Sequence, residues 1–293
     1  MTRTAGPVAV IGAGVMGRGI ATASLAAGLP TVLVDIDSAA LAAAERDIGR
    51  RMARAPSGGG DWRERLRLAA DLAGGVAGAA AVIEAVPEVE SIKQETFRRL
   101  GESAPPGALL ASNTSTMSVT ALARAAGDSP RVIGMHFFNP AHRMALVEVV
   151  TGESTAPATV SDAVALATSL GKEPIVVRDV PGFVTSRLGL LLGNEAMRLV
   201  EEGVASASDV DKALRLGYGH PMGPLELADL VGLDARLNNA RSMHRRSGLA
   251  VYRPPAILER LVAAGHLGRK SGQGFYRYDA QGRVLGPAGE VRS

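Results

Sequence analysis

The sequence predicts an α/β protein, with a parallel sheet wound by helices over residues 1–180 and an all-helical part over 181–293. Three observations lead there. Up to about Val180, short apolar runs alternate with longer helical stretches, as in strand–helix–strand units. A glycine-rich turn joins the first apolar run to the first helical stretch. Beyond Asp179-Val180-Pro181-Gly182 the short apolar runs give way to helical periodicity.

Taken in order, the expected strands are Val8–Ile11, Thr31–Val34, Ala81–Val86, Ala108–Ala111, Arg131–Phe137, Val147–Thr151 and Pro174–Val177. The expected helices between them are Met16–Ala27, Ala39–Arg54, Trp62–Ala70, Glu90–Leu100 and Ala158–Leu170. Pro56-Ser57-Gly58-Gly59-Gly60 breaks the second helix from the third, which predicts a helical hairpin around 39–70 that leaves the sheet. The second part reads as helices Val184–Glu201, Ser208–Leu216, Leu225–Leu230, Ala235–Arg245 and Pro255–Ala264.

Composition narrows the function. At roughly 100–200 residues per domain, 293 residues suggest two domains with ample core. The absence of cysteine excludes disulfide frameworks, thiol catalysis and zinc-thiolate sites, and no metal is expected. It fits a reducing cytoplasm, as it fits other compartments. The opening apolar run is cut by Gly12, Gly14, Gly17 and Arg18, so it does not read as a targeting segment. No apolar run reaches the ~18 residues of a membrane span. Basic residues number 32 against 29 acidic, and residues 45–67 hold seven Arg and four acids, a surplus equal to the whole net charge of +3. With aromatics at 3%, this local excess does not predict nucleic-acid binding.

Gly12-Ala13-Gly14-Val15-Met16-Gly17 is a GxGxxG between a strand and a helix. Gly12 allows the tight turn, Gly14 lets backbone approach a pyrophosphate, and Gly17 lets helix pack on strand. The amides around Val15 and Met16 at the helix start face the phosphates. Asp35 ends the second strand where a carboxylate accepts ribose hydroxyls. Together with Asp37 it repels a 2′-phosphate, which favours NAD over NADP.

If Asn139–Met144 reverses the chain, His136 and Glu148 are opposed across two strands. A carboxylate on an imidazole fixes its tautomer and stabilises its charge, as a base removing a hydroxyl proton requires. A structural His–Glu contact is the other reading. Ser112-Asn113-Thr114-Ser115-Thr116 follows a strand end, where loops line the ligand crevice, so that Asn113 and Ser115 are candidate contacts to substrate or nicotinamide. A helix N-cap is the alternative reading there.

Together these segments resemble the short-chain 3-hydroxyacyl-CoA dehydrogenases, especially bacterial 3-hydroxybutyryl-CoA dehydrogenases. The likeness runs from about Pro7 to Tyr278 and rests on Gly12–Gly17, Ser112–Ser115, His136–Pro140, Leu146–Val150, Asp179–Phe183, Gly219–Asp234 and Gly268–Tyr276. The resemblance implies a Rossmann-type, doubly wound domain and a helical domain carrying most of a homodimer interface. It implies NAD as cofactor and an acyl-CoA thioester as substrate. His136 matches the family acid/base, Glu148 its partner, and Ser115 a residue near the substrate oxygen. Glu88, Lys93 and Asn139 match positions that contact NAD. Read from sequence alone, Lys93 is a solvated helix residue. Ser186 stands where the family commonly has Asn, and its shorter side chain puts substrate choice in question.

Arg46, Arg50 and Arg54 share one helix face where the family's CoA-binding helices fall. A solvated face paired with Glu45 and Asp47 is the other reading. The competing functions are a dehydrogenase of carrier-protein-bound hydroxyacyl thioesters, a dehydrogenase of free hydroxy or sugar acids, and a non-catalytic NAD(H)-binding protein.

Overall fold

The computed structural model describes residues 6–54 and 61–288, and the chain divides into two compact units, Met1–Phe183 and Val184–Ser293. The first unit contains, in chain order, β1 (Val8–Ile11), α1 (Val15–Ala26), β2 (Thr31–Val34), α2 (Ser38–Met52), α3 (Trp62–Arg65), β3 (Leu66–Ala69), α4 (Leu72–Val76) and β4 (Ala81–Glu84). There follow α5 (Glu90–Ser103), β5 (Leu109–Ser112), α6 (Val119–Ala125), β6 (Val132–Phe137), β7 (Leu146–Thr151), α7 (Pro157–Ser169) and β8 (Glu173–Arg178).

These strands form one sheet in the order β3-β2-β1-β4-β5-β6-β7-β8. All neighbours are parallel except β6 and β7, which are antiparallel. The central strands are buried on both faces, which is why they read as continuous apolar runs. Helices cover both faces. One core takes Ile20 and Leu25 of α1 and Leu41, Ala44, Ile48 and Met52 of α2. The other takes Phe97 and Leu100 of α5 and Val119 and Leu122 of α6. The strand order reverses at β1/β4, the switch point at which open α/β sheets bind ligands.

Two expectations fail in the stretch 39–70. Helix α3 stops at Arg65, and Leu66–Ala69 is an edge strand paired with β2, with Thr31 opposite Leu66. Leu66 and Leu68 pack on the core while Arg67 points to solvent, and this alternation overrides helix propensity. Nor does the expected helical hairpin leave the sheet, since the apolar face of α2 belongs to the core and its second arm returns as β3. The proline–glycine break at 56–60 lies outside the described residues.

The second unit contains α8 (Thr185–Glu201), α9 (Ala207–Gly217), α10 (Pro224–Val231), α11 (Leu233–Ser247), α12 (Ala256–Ala263), β9 (Tyr276–Tyr278) and β10 (Val284–Pro287). It is helical, with a two-stranded antiparallel hairpin added at its end. Its core gathers Met197, Val210, Leu225, Leu233, Leu237 and Leu258 with Tyr276 and Tyr278 of the hairpin. Buried Asp229 accepts from Phe275 N (3.0 Å), Tyr276 N (2.9 Å) and Tyr278 OH (3.0 Å), and so ties β9 to α10. No helix among the described residues is long and apolar enough to cross a membrane.

Candidate active site

A cleft of about 1180 Å³ opens in the first unit, lined by Gly12–Met16, Asp35, Glu88, Asn113, Ser115, His136 and Asn139 among others. Its phosphate end is built by backbone. Gly12 has φ 103°, and a Cβ there would stand 2.7 Å from the carbonyl oxygen of Ala85. A Cβ on Gly17 would collide with the Gly12 carbonyl, so both positions need glycine. A Cβ on Gly14, by contrast, would meet nothing within 4 Å. The N-terminus of α1 has neither a side-chain cap nor an acidic residue in its first turn, so its amides are available to an anion. Asp35 braces the turn, accepting from Ala13 N at 2.7 Å and Asp37 N at 3.0 Å. Room above Gly14, open helix amides and a carboxylate at the end of β2 fit a dinucleotide without a 2′-phosphate.

His136 and Glu148 are direct partners in the β6–β7 register, both projecting from one face of the sheet. His136 Nδ1 lies 2.7 Å from Glu148 Oε2, and the Glu148 side chain is fully buried. The imidazole is packed by Phe138, with ring centroids 4.5 Å apart, and by Phe183 at 6.1 Å. Phe183 is a non-glycine residue at φ 48°, a left-handed conformation held by burial of its ring.

The Ser112–Thr116 loop is held by acceptors. Asn113 Oδ1 accepts from Phe137 N at 2.9 Å, directly after His136. Glu88 Oε1 accepts from Thr114 Oγ1 (2.5 Å), Ser115 N (3.0 Å) and Thr116 N (3.2 Å). Burial raises the Glu88 carboxyl, but the Lys93 charge and these bonds outweigh it and hold its pKa below the ordinary value. Lys93 is not solvated. It is 1% exposed, 2.6 Å from Glu84 and 3.3 Å from Glu88. Helix α5 turns this lysine inward because buried Glu84 offers it a counter-charge. Only one sequence feature hints at Glu84, a carboxylate ending an otherwise apolar strand.

Ser186 lies in the second unit, half-buried in the first turn of α8. Arg46, Arg50 and Arg54 are exposed and do not line the cleft, and Arg50 pairs with Asp47 at 3.1 Å. Arg51, outside that face, reaches His142 Nδ1 at 3.2 Å. His142 sits below the ordinary histidine value, first through burial and then through Arg51, Arg143 and Lys172.

The fold and the cleft define an NAD-dependent dehydrogenase. The family model described as 3-hydroxyacyl-CoA dehydrogenase, NAD binding domain, matches residues 7–180, and that for the C-terminal domain of the same family matches 182–278. The chain belongs to the 3-hydroxyacyl-CoA dehydrogenase family. It is 41% identical over 278 residues to a probable 3-hydroxybutyryl-CoA dehydrogenase of Deinococcus radiodurans, covering 92% of this chain and 99% of that one. It is 38% identical over 284 residues to the mitochondrial hydroxyacyl-coenzyme A dehydrogenase of Sus scrofa, covering 92% and 90%. The crystal structure of (S)-3-hydroxybutyryl-CoA dehydrogenase from Ralstonia eutropha superposes with a TM-score of 0.89 at 37% identity, covering 93% and 99%.

Proposed function

We propose that the protein catalyses reversible oxidation of a short-chain L-3-hydroxyacyl-CoA, of the 3-hydroxybutyryl type, to the 3-ketoacyl-CoA. The observation that carries this reading is His136 lining the cleft with Nδ1 on the buried carboxylate of Glu148. NAD, when bound, supplies the hydride acceptor for C3. Gly12, Gly14, Val15, Met16 and Gly17 hold its pyrophosphate, Asp35 its ribose, and Glu88, Asn113 and Asn139 its nicotinamide side; Lys93, which the resemblance also put on NAD, is buried outside the cleft lining and acts through Glu88.

An ionised Glu148 can only accept, so a neutral His136 donates to it from Nδ1 and keeps its lone pair on Nε2. His136 takes the C3 hydroxyl proton at Nε2, and Glu148 stabilises the imidazolium that forms. Ser115 holds the substrate oxygen, and Phe138 and Phe183 pack water away from the imidazole. Arg46 and Arg50, exposed on α2, meet the CoA phosphates.

The same reading makes the enzyme a cytoplasmic homodimer in fatty acid metabolism, joined through the second unit. Supporting this, Leu188 and Leu192 of α8 are 59% and 38% exposed, and Leu227 and Leu230 of α10 are 41% and 45% exposed. Light scattering on the purified protein reads the dimer.

The deciding assay is NADH oxidation with acetoacetyl-CoA, beside free acetoacetate, the same acyl group on carrier protein, and NADPH. NADH-selective turnover of the CoA thioester is expected. NADH binding without thioester turnover would return the protein to the non-catalytic class.

A further inference from the structure

We propose that Glu84 is a positioning residue of this active site: standing behind the cleft wall, it fixes the Ser112–Thr116 loop at both ends and thereby sets Ser115 against His136. The inference rests on the roles of Ser115 and His136 proposed above.

Glu84 ends β4 with its side chain 0% exposed, and neither it, Lys93 nor Ser112 lines the cleft. Both oxygens of its carboxylate are engaged. Oε1 accepts from Lys93 Nζ (2.6 Å) and Val86 N (2.7 Å), and Oε2 accepts from Ser112 Oγ (2.6 Å). The Ser112 bond crosses to the neighbouring strand and anchors the start of the loop. Through Lys93 the same carboxylate reaches Glu88 Oε2, while Oε1 of Glu88 gathers Thr114, Ser115 and Thr116. Between these anchors, Asn113 N donates to the Glu84 carbonyl at 2.8 Å, and Asn113 Oδ1 receives Phe137 N, one residue from His136.

Stability alone is a poor account of this pair. Replacing a buried ion pair by apolar residues is often neutral or stabilising, because removing both charges from water costs more than their attraction returns. Such a pair does impose one geometry, however. Lys93, placed between Glu84 and Glu88, cannot swing away from Glu84 without leaving that buried carboxylate uncompensated. Glu88 lines the cleft and is held at one oxygen by this cation and at the other by the loop. The arrangement therefore carries the position of a buried charge into the position of Ser115.

The test is a double-mutant cycle on the full chain, assayed with acetoacetyl-CoA and NADH. Glu84→Gln keeps the volume and removes the charge. It should lower kcat about ten- to hundredfold while KM for both substrates stays within about threefold, as expected when positioned groups are misplaced. Ser115→Ala lowers kcat by itself. The double variant should lie within about twofold of the poorer single, since both act through one group. Unchanged kcat in Glu84→Gln, or losses that multiply in the double variant, overturn the proposal. If Glu84→Gln does not fold, Ser112→Ala enters the same cycle; it cuts one anchor and leaves the ion pair. It should cost about three- to tenfold, again without multiplying with Ser115→Ala. Wild-type kcat in Ser115→Ala also overturns the proposal, whereas turnover of acetoacetyl-CoA by the native enzyme separately checks the reaction.

Discussion

Nδ1 of His136 stands 2.7 Å from Oε2 of Glu148, across the only antiparallel pair in an otherwise parallel sheet of the described residues. The reversal matters because two residues on facing antiparallel strands point the same way at the same height, so the hydrogen-bonded pair needs no loop to assemble it. A carboxylate with no exposure has little solvent to shield it from the ring. Glu148→Gln should therefore lower kcat about hundredfold, and His136→Ala further, within the range of general acid–base catalysis. NADH binding, read by fluorescence, should persist in both. Full turnover in His136→Ala would remove the histidine from the chemistry.

Two glycines of one turn separate folding from binding. Gly17→Ala places a methyl against the Gly12 carbonyl, so the turn must shift. Its melting temperature should fall together with its NADH affinity. Gly14→Ala meets no protein atom within 4 Å. That variant should melt like the native protein yet bind NADH roughly tenfold more weakly, about 1.4 kcal/mol, because its methyl takes room reserved for the pyrophosphate. Equal behaviour of the two variants would argue against a phosphate over Gly14.

Asp35 braces Ala13 N, and in the proposed function it also faces the ribose and repels a 2′-phosphate. Asp35→Ser should weaken NADH binding by losing the brace and admit NADPH by losing the repulsion. Relief of like-charge repulsion, several kcal/mol at close range, predicts a fall of roughly hundredfold in the NADH/NADPH ratio of kcat/KM. An unchanged ratio would place cofactor choice elsewhere.

Burial pushes the Asp229 carboxyl up to about 6 from 3.8, against the hydrogen bonds from Tyr276, Phe275 and Tyr278. The folded chain thus holds this proton more tightly than the unfolded chain. The stability it contributes is fully present below pH 3.8 and is lost as pH rises through about 6. Denaturant unfolding of native protein and Asp229→Asn from about pH 4 to 7 should show their stability difference falling by up to roughly 3 kcal/mol. A difference constant over that window would count against the shift.

Reading from the sequence worked best where neighbours in the chain carry the information. Val8–Ile11 and Thr31–Val34 are strands with the expected bounds, because a doubly buried strand must be apolar throughout. The facing of His136 and Glu148 was legible from their similar distance to the turn. Reading failed at Leu66–Ala69, where Leu-Arg-Leu-Ala suits a helix face or an edge strand equally, and only the free edge of β2 decides. Lys93 misled for a related reason, since a lysine on a polar helix reads as solvated until the carboxylate beneath it is placed.

By itself, then, the sequence determined the α/β and helical division, the glycine-rich turn after β1, and the facing of His136 and Glu148. Each rests on local periodicity, a steric need for glycine, or register within one strand pair. Tertiary structure alone decided that Glu84, Lys93 and Glu88 form one chain of charge, running from the buried end of β4 to the cleft under the Ser115 loop. Those residues come from the end of a strand, the inside of a helix and the segment between them. What a charged side chain does depends on whether packing strips its water away and which opposite charge is left within reach.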